Sequence, residues 1–260
     1  MPSAFRLISR RKERATRKGG DSRRTPYGIK LIENCVTCPH RAEQIFCNLS
    51  SSAAERLAAI TSPAPYQKGA ALFVEGEEAR GVYILCEGRV KLSTTSIDGR
   101  TLITRIAETG DVLGLPATVS GKPYELTADV LEPSQANFIS RPDFLKFLAE
   151  NGEVGMRVAE ELAEIYQAAI AEMRTIGVGH SATEKLARLL LDLVAEAGTG
   201  TGEIRVPLTF THEEIAQIIG TSRETVTRLL GGFKKKDLVH LKGSTLIVRD
   251  KAGLEKLTGD

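Results

Sequence analysis

Arg223, Glu224, Thr227 and Arg228 place two guanidinium groups, a carboxylate and a hydroxyl at spacings that return to one side of a helix. Such a set can read nucleic-acid bases. An arginine binds O6 and N7 of guanine through two parallel hydrogen bonds, and a glutamate accepts from N4 of cytosine. A second reactive group lies near the other end of the chain, where Cys35 and Cys38 form a C-x2-C pair with Cys47 beyond it and Cys86 further on. Thiolates are soft ligands that suit zinc or iron–sulfur centres. Four cysteines at irregular spacing fit a reduced, metal-bound or redox-active set better than a disulfide framework.

The base-reading residues need a rigid mount, and residues 211–230 describe one. Thr211 with Glu214 and Thr221 with Glu224 each have the spacing of a capping box, so two short helices are expected with Gly220 turning the chain between them. Ile215, Ile218 and Ile219 give the first helix an apolar face, and Val226, Leu229 and Leu230 give the second one. The two can therefore pack together and leave Arg223, Glu224, Thr227 and Arg228 free, as in a helix-turn-helix whose second helix enters the major groove. The competing reading is a helical hairpin with a solvated charged face.

Upstream, residues 66–141 alternate short apolar strands with turn glycines. Asp98-Gly99 marks a hairpin, and the whole predicts a small antiparallel barrel or roll. Cys86 alternates with Val82 and Ile84 and is expected to face the core. A helix follows, with Val158, Leu162, Ile165, Ala169, Met173 and Ile176 at three- and four-residue spacings, a narrow seam suited to pairing with a second copy. A core helix within one chain is the alternative. Residues 177–182 read as a hinge, with a further helix from Thr183 to Glu196.

A chain of 260 residues with 42% hydrophobic and 26% charged residues has room for two domains with proper cores. It shows neither an apolar run of bilayer length nor a secretory leader, so a cytoplasmic protein with no membrane partner is expected. The net charge of +2 hides an asymmetry. Residues 1–30 carry +8 and the remainder −6, so a disordered basic arm able to touch phosphates is expected over 1–32, a dispensable extension being the other reading. No phosphate-cradling loop, nucleophile elbow or zinc-hydrolase motif is present, and His40, His180, His212 and His240 stand apart, so an enzyme is not expected.

Ser222-Arg-Glu-Thr-Val-Thr-Arg228, with the Lys242-Gly243 hairpin between Leu238-Val-His-Leu and Thr245-Leu-Ile-Val, resembles the winged helix of the bacterial Crp/Fnr regulators, and the likeness spans residues 33 to 250. It implies an α+β fold with a cysteine-bearing segment and sensory β-roll over 33–150, a dimerisation helix over 151–178 and a winged helix-turn-helix over 179–260. It also implies DNA contacts by Arg223, Glu224 and Arg228, with Thr227, Ser222, Thr211, His212 and Lys242 beside them, and a half-site of the TGTGA kind. The implied partners are double-stranded DNA, a second copy of the chain and RNA polymerase. A ligand-binding regulatory module without DNA activity is the rival.

For the signal, the resemblance points to Gly114, Leu115 and Lys122 as the cyclic-nucleotide cassette but disfavours cyclic AMP. Leu115 stands where cyclic-AMP binders carry Glu, Glu125 lies near the place of their phosphate-binding Arg, and Ile170-Ala171 replaces their Thr-Ser pair. Cys35, Cys38 and Cys47 lie where oxygen-responsive members hold three ligands of a 4Fe–4S cluster. The spacing before Cys47 is longer than theirs, and their fourth cysteine would fall near Asn137, leaving Cys86 or His40 to complete the set. A cluster, a zinc or thiol-redox site, unligated cysteines, and gating by a small-molecule ligand other than cyclic AMP all stay open on the sequence.

Overall fold

The computed structural model describes residues 27–29, 31–32, 34–41, 46–177, 180–197 and 204–258; residues 1–26 of the expected basic arm and part of the expected hinge lie outside them, while the arm's end at Ile32 is held by hydrogen bonds to Gln135, contrary to the expectation of disorder up to residue 32. Among the described residues the chain divides into two compact units, one of residues 27–94 and 105–168 and the other of residues 95–104 and 169–258, so the division runs through the helix over Gly152–Gly177 and the tip of the hairpin at Asp98-Gly99. No helix among the described residues is long and apolar enough to cross a membrane.

The first unit contains two four-stranded antiparallel sheets. In one, β1 (Ser62–Tyr66), β8 (Ser134–Ser140), β3 (Gly81–Glu87) and β6 (Val112–Leu113) lie in that order. In the other, the order is β2 (Ala71–Phe73), β7 (Thr127–Val130), β4 (Val90–Thr95) and β5 (Thr101–Ala107). Alternation along β3 explains the layering, because successive side chains of a strand point to opposite faces. Leu85 packs with Leu72, Phe73, Val90, Val130 and Ala136 between the sheets. Val82 and Ile84 face the other way, into a second core with Phe144 and Phe147 of α3 (Arg141–Glu150), Leu57 of α1 (Ser51–Ile60), and Val154 and Val158 of α4 (Gly152–Gly177). Thus β3 is buried on both faces.

β1 was not legible in the sequence because Pro63 and Pro65 interrupt it. A residue without an N–H is tolerated on a sheet edge, and β1 is the edge strand, paired with β8 alone. The Asp98-Gly99 hairpin forms as expected, with Gly99 at φ +80 and Gly99 N–H donating to Ser96 O at 2.8 Å.

α4 spans Gly152–Gly177, and two positions of its expected seam, Val158 and Leu162, need correction; the side chains of Met173 and Ile176 lie outside the described residues. Val158 is buried, and Leu162 packs against the same core, so these positions serve the roll and are not free for a partner. Of its apolar residues, α4 leaves Met156, Ala159, Ala163, Tyr166 and Ala169 exposed, spaced three, four, three and three apart. Met156 is 63% exposed and Tyr166 68%. The apolar period in the sequence mixed two faces of one helix.

In the second unit, α5 (Ala182–Ala197), α6 (His212–Ile219) and α7 (Arg223–Lys235) accompany a three-stranded sheet ordered β10 (Val239–Lys242), β11 (Thr245–Val248) and β9 (Ile204–Pro207), and a short α8 (Lys251–Glu255) follows. Leu186, Leu190, Ile215, Val226, Leu230 and Leu246 are among its buried residues.

Candidate functional site

The mount for Arg223, Glu224, Thr227 and Arg228 is built by helix capping. Thr211 caps α6, accepting from Glu214 N–H, while the Glu214 carboxylate accepts from Thr211 N–H at 2.7 Å; this is the complete capping box expected there. The second cap differs from expectation. Gly220 adopts φ +67 and Thr221 N–H donates to Ala216 O, so Thr221 closes α6, and Ser222 becomes the N-cap of α7, accepting from Thr225 N–H. That shift places Arg223 and Glu224 at the first two positions of α7, both exposed. The Glu224 backbone N–H and the Ser222 side chain hold the Glu224 carboxyl below its usual range.

Thr227 and Arg228 are exposed one turn further on, while Val226 and Leu230 are buried. The Thr227 hydroxyl donates to Arg223 O at 3.0 Å and lies 2.9 Å from His212 Nδ1. With its one proton committed to the carbonyl, the hydroxyl accepts from the imidazole, which fixes the Nδ1–H tautomer and ties the start of α6 to the exposed face of α7. Lys242 stands exposed at the tip of the β10–β11 hairpin, where Gly243 turns the chain at φ +59.

In the roll, all four cysteines line one pocket, with Asn137 beside them and Leu57 and Ile84 in its apolar wall. Cys86 does face the core, as its alternation implied, but that core face is also the wall against which the segment before α1 folds. Asn137, on β8, pairs with Ile84 across to β3, so Cys86 lies one strand away from the position where the family's fourth cysteine would fall. His40 is not among the residues lining the pocket; its backbone hydrogen-bonds Cys38. Burial pushes all four thiols up, Cys47 to about 12, and the neighbouring cysteines add to the shifts of Cys35, Cys47 and Cys86. Hydrogen bonds from Thr61 and Asn137 oppose the rise at Cys35. Among the described residues no three His, Cys, Asp or Glu side chains converge on a point that one ion would occupy.

The remaining sequence candidates stay apart. Leu115 is fully buried in the core beneath α2 (Leu115–Ser120). Lys122 is exposed in the following loop. Gly114 takes φ +74, and a Cβ there would meet Tyr124 Cε1 at 2.7 Å, so the ring of Tyr124, stacked on Phe73, covers it. The sequence also passed over Gln135 and Asn137 as a pair. Two amides at i and i+2 in an otherwise apolar strand are the signal that could have found them.

The chain matches the model of the Crp-like helix-turn-helix domain over residues 184–257 and that of the cyclic nucleotide-binding domain over 63–151. The chain belongs to the Crp/Fnr family of transcription regulators. Among relatives of this regulator, the CRP-like cAMP-activated global transcriptional regulator of Mycobacterium tuberculosis is 27% identical over 213 residues, covering 82% of this chain and 95% of that one. The fumarate and nitrate reduction regulatory protein of Vibrio cholerae is 29% identical over 201 residues, covering 75% and 78%. FixK2 from Bradyrhizobium japonicum superposes with a TM-score of 0.63 at 23% identity, over 76% of this chain and 97% of that one, and shares the fold. The Crp/Fnr chain described here is thus a DNA-binding transcription regulator with a sensory domain, and its named relatives are regulators, not enzymes.

Proposed function

We propose that this regulator binds, as a homodimer, an inverted repeat of TGTGA-like half-sites, and that a 4Fe–4S cluster held by Cys35, Cys38, Cys47 and Cys86 sets its DNA affinity. The observation carrying this reading is the convergence of four thiols on one pocket of the sensory roll, from stretches as far apart as 35–47 and 86.

The donor set fits a cluster better than its rivals. A zinc ion needs four donors converging tetrahedrally on one point, which the side chains do not provide. A cubane cluster takes its cysteines at separate corners, so a spread set of four suits it. Thiol-redox sensing relies on exposed cysteines of low pKa, whereas burial raises all four here. When bound, the cluster supplies a centre sensitive to oxidant and iron supply. The chain's own contribution is to hold the segment before α1 against β3. The core that receives Cys35, Cys47 and Cys86 also contains Val154 and Val158 of α4, so packing at the pocket is felt along that helix.

On the DNA side, Arg223 is assigned to guanine, Glu224 to cytosine, and Arg228 and Thr227 to neighbouring base edges, with Ser222, Thr211, His212 and Lys242 at the phosphates. Homodimerisation through Met156, Ala159, Ala163 and Tyr166 of α4 would supply two α7 helices to an inverted repeat, whose half-sites lie about 34 Å apart, one turn of duplex. RNA polymerase is the further partner expected of a regulator on such a site.

The test is iron, sulfide and zinc analysis of anaerobically purified wild type and Cys86→Ser. About four iron and four sulfide per chain are expected in the wild type, with loss of most of both in the variant. A wild type without iron and sulfide, or a Cys86→Ser protein that keeps both in full, overturns the assignment.

A further inference from the structure

Gln135 and Asn137 lie on β8, the strand between β1 and β3, and are almost fully buried, at 0% and 2% exposure. Burying amides in an apolar core is costly unless their donors and acceptors are met. Here they are met in an order that allows one orientation. The peptide of Ile32 donates its N–H to Gln135 Oε1 at 2.6 Å and accepts from Gln135 Nε2 at 2.8 Å. A backbone peptide cannot exchange donor for acceptor, so the Gln135 amide is locked. Its Nε2 also donates to Asn137 Oδ1 at 3.0 Å, which in turn locks Asn137 with its NH2 group toward the pocket, 3.8 Å from Cys35 Sγ. The backbone of Asn137 hydrogen-bonds Cys86 as well. One strand position therefore meets two of the four sulfurs, and its polarity is dictated by the backbone N–H and C=O of Ile32, three residues before Cys35.

Building on the cluster reading above, we propose that Asn137 is a positioning residue that hydrogen-bonds the Cys35 ligand sulfur and raises the reduction potential of the cluster, with Gln135 and Ile32 holding its amide in the donating orientation. Hydrogen bonds to ligating sulfur withdraw electron density and are among the factors that set cluster potentials. The same relay pins the segment before Cys35 to β8, so the sulfur environment and the placement of that segment are linked.

The test is an anaerobic potentiometric titration of the cluster, followed by its visible spectrum, in wild type, Asn137→Leu and Gln135→Glu, with hydrogen exchange at the Ile32 amide as a second readout. Asn137→Leu removes the donor and should make one-electron reduction about tenfold less favourable, a lowering of about 59 mV. It should leave the Ile32 amide protected, because Gln135 still accepts from it. Gln135→Glu touches no sulfur. It replaces the donor to Asn137 Oδ1 with an acceptor, so Asn137 should turn its carbonyl toward Cys35 and the potential should fall again. A purely structural amide pair would leave the potential of Asn137→Leu unmoved, whereas Gln135→Glu adds a charge that lowers the potential by itself, so the Asn137→Leu value decides. Asn137→Leu carrying the cluster at the wild-type potential overturns the relay and leaves the cluster reading intact, whereas a wild type without iron and sulfide overturns both. Should Asn137→Leu fail to fold, Asn137→Ala, which removes the same donor and retains Gln135 and all four cysteines, decides in its place.

Discussion

Arg223→Ala tests the DNA reading at its narrowest point. Arg223 is the first residue of α7, exposed, and follows the Ser222 cap, whose own hydrogen bond to Thr225 does not involve it. Removing its side chain should therefore leave folding stability within about 0.5 kcal/mol of wild type, as for other surface changes. A bidentate arginine–guanine pair discriminates by about 1–3 kcal/mol. A homodimer presents the pair twice, so the loss on an inverted repeat of TGTGA should be roughly 2–6 kcal/mol, from about 30-fold to about 2 × 10⁴-fold in Kd. The assay is fluorescence anisotropy with a labelled duplex at one fixed salt concentration. A parallel duplex has the guanine opposite Arg223 replaced in both half-sites. Wild type should lose affinity on the altered duplex, and Arg223→Ala should bind both duplexes alike, because the interaction being probed is already gone. If Arg223→Ala weakens binding equally on every sequence and wild type ignores the base change, Arg223 touches phosphate and the base assignment is refuted.

Other predictions concern the dimer, the roll and the arm. Tyr166→Glu puts like charges together in the proposed α4 seam, where such juxtaposition costs several kcal/mol; sedimentation should show monomers at concentrations where wild type is dimeric, with inverted-repeat affinity falling at least about a hundredfold, and an unchanged dimer contradicts the seam. Gly114→Ala forces a side chain at φ +74 against the Tyr124 ring 2.7 Å away, and should lower the unfolding free energy by about 2–4 kcal/mol in urea titrations; an unchanged midpoint contradicts the packing described. Deleting residues 1–30, which carry +8, should reduce the slope of log K against log salt by about 0.9 for each phosphate the arm neutralises, while preserving preference for the repeat; an unaltered slope leaves the arm without a DNA role.

How much of this could be read from the chain varies with the range of the interactions involved. The helix-turn-helix was legible because its determinants are local: Thr211 and Glu214 cap each other across three residues, and the isoleucines of α6 repeat at helical spacing. The second cap was misassigned by one position, because Thr221 and Ser222 both have a hydroxyl, and only the bond from Thr221 N–H to Ala216 O decides which of them ends α6. Val158 and Leu162 were placed on the α4 seam for a different reason. Both the face buried against the roll and the face left exposed are apolar at three- and four-residue spacing, and periodicity cannot say which neighbour covers which. The cysteine site lay between these cases. Cys35, Cys38 and Cys47 stand out as a motif, but the membership of Cys86 depends on β3 pairing with β8 and on the segment before α1 folding over that sheet, through interactions about a hundred residues apart in the case of Ile32 with Gln135.

The claim that joins the two halves is that the state of the cysteine pocket changes how well the second unit binds DNA. The most direct measurement is the affinity for the TGTGA inverted repeat, at one salt concentration, of cluster-loaded protein and of the same protein stripped of iron under anaerobic conditions. The two dissociation constants should differ by roughly 5- to 150-fold, the usual range of coupling between allosteric sites, and Cys86→Ser should bind like the stripped form. Equal constants for loaded and stripped protein would contradict the account.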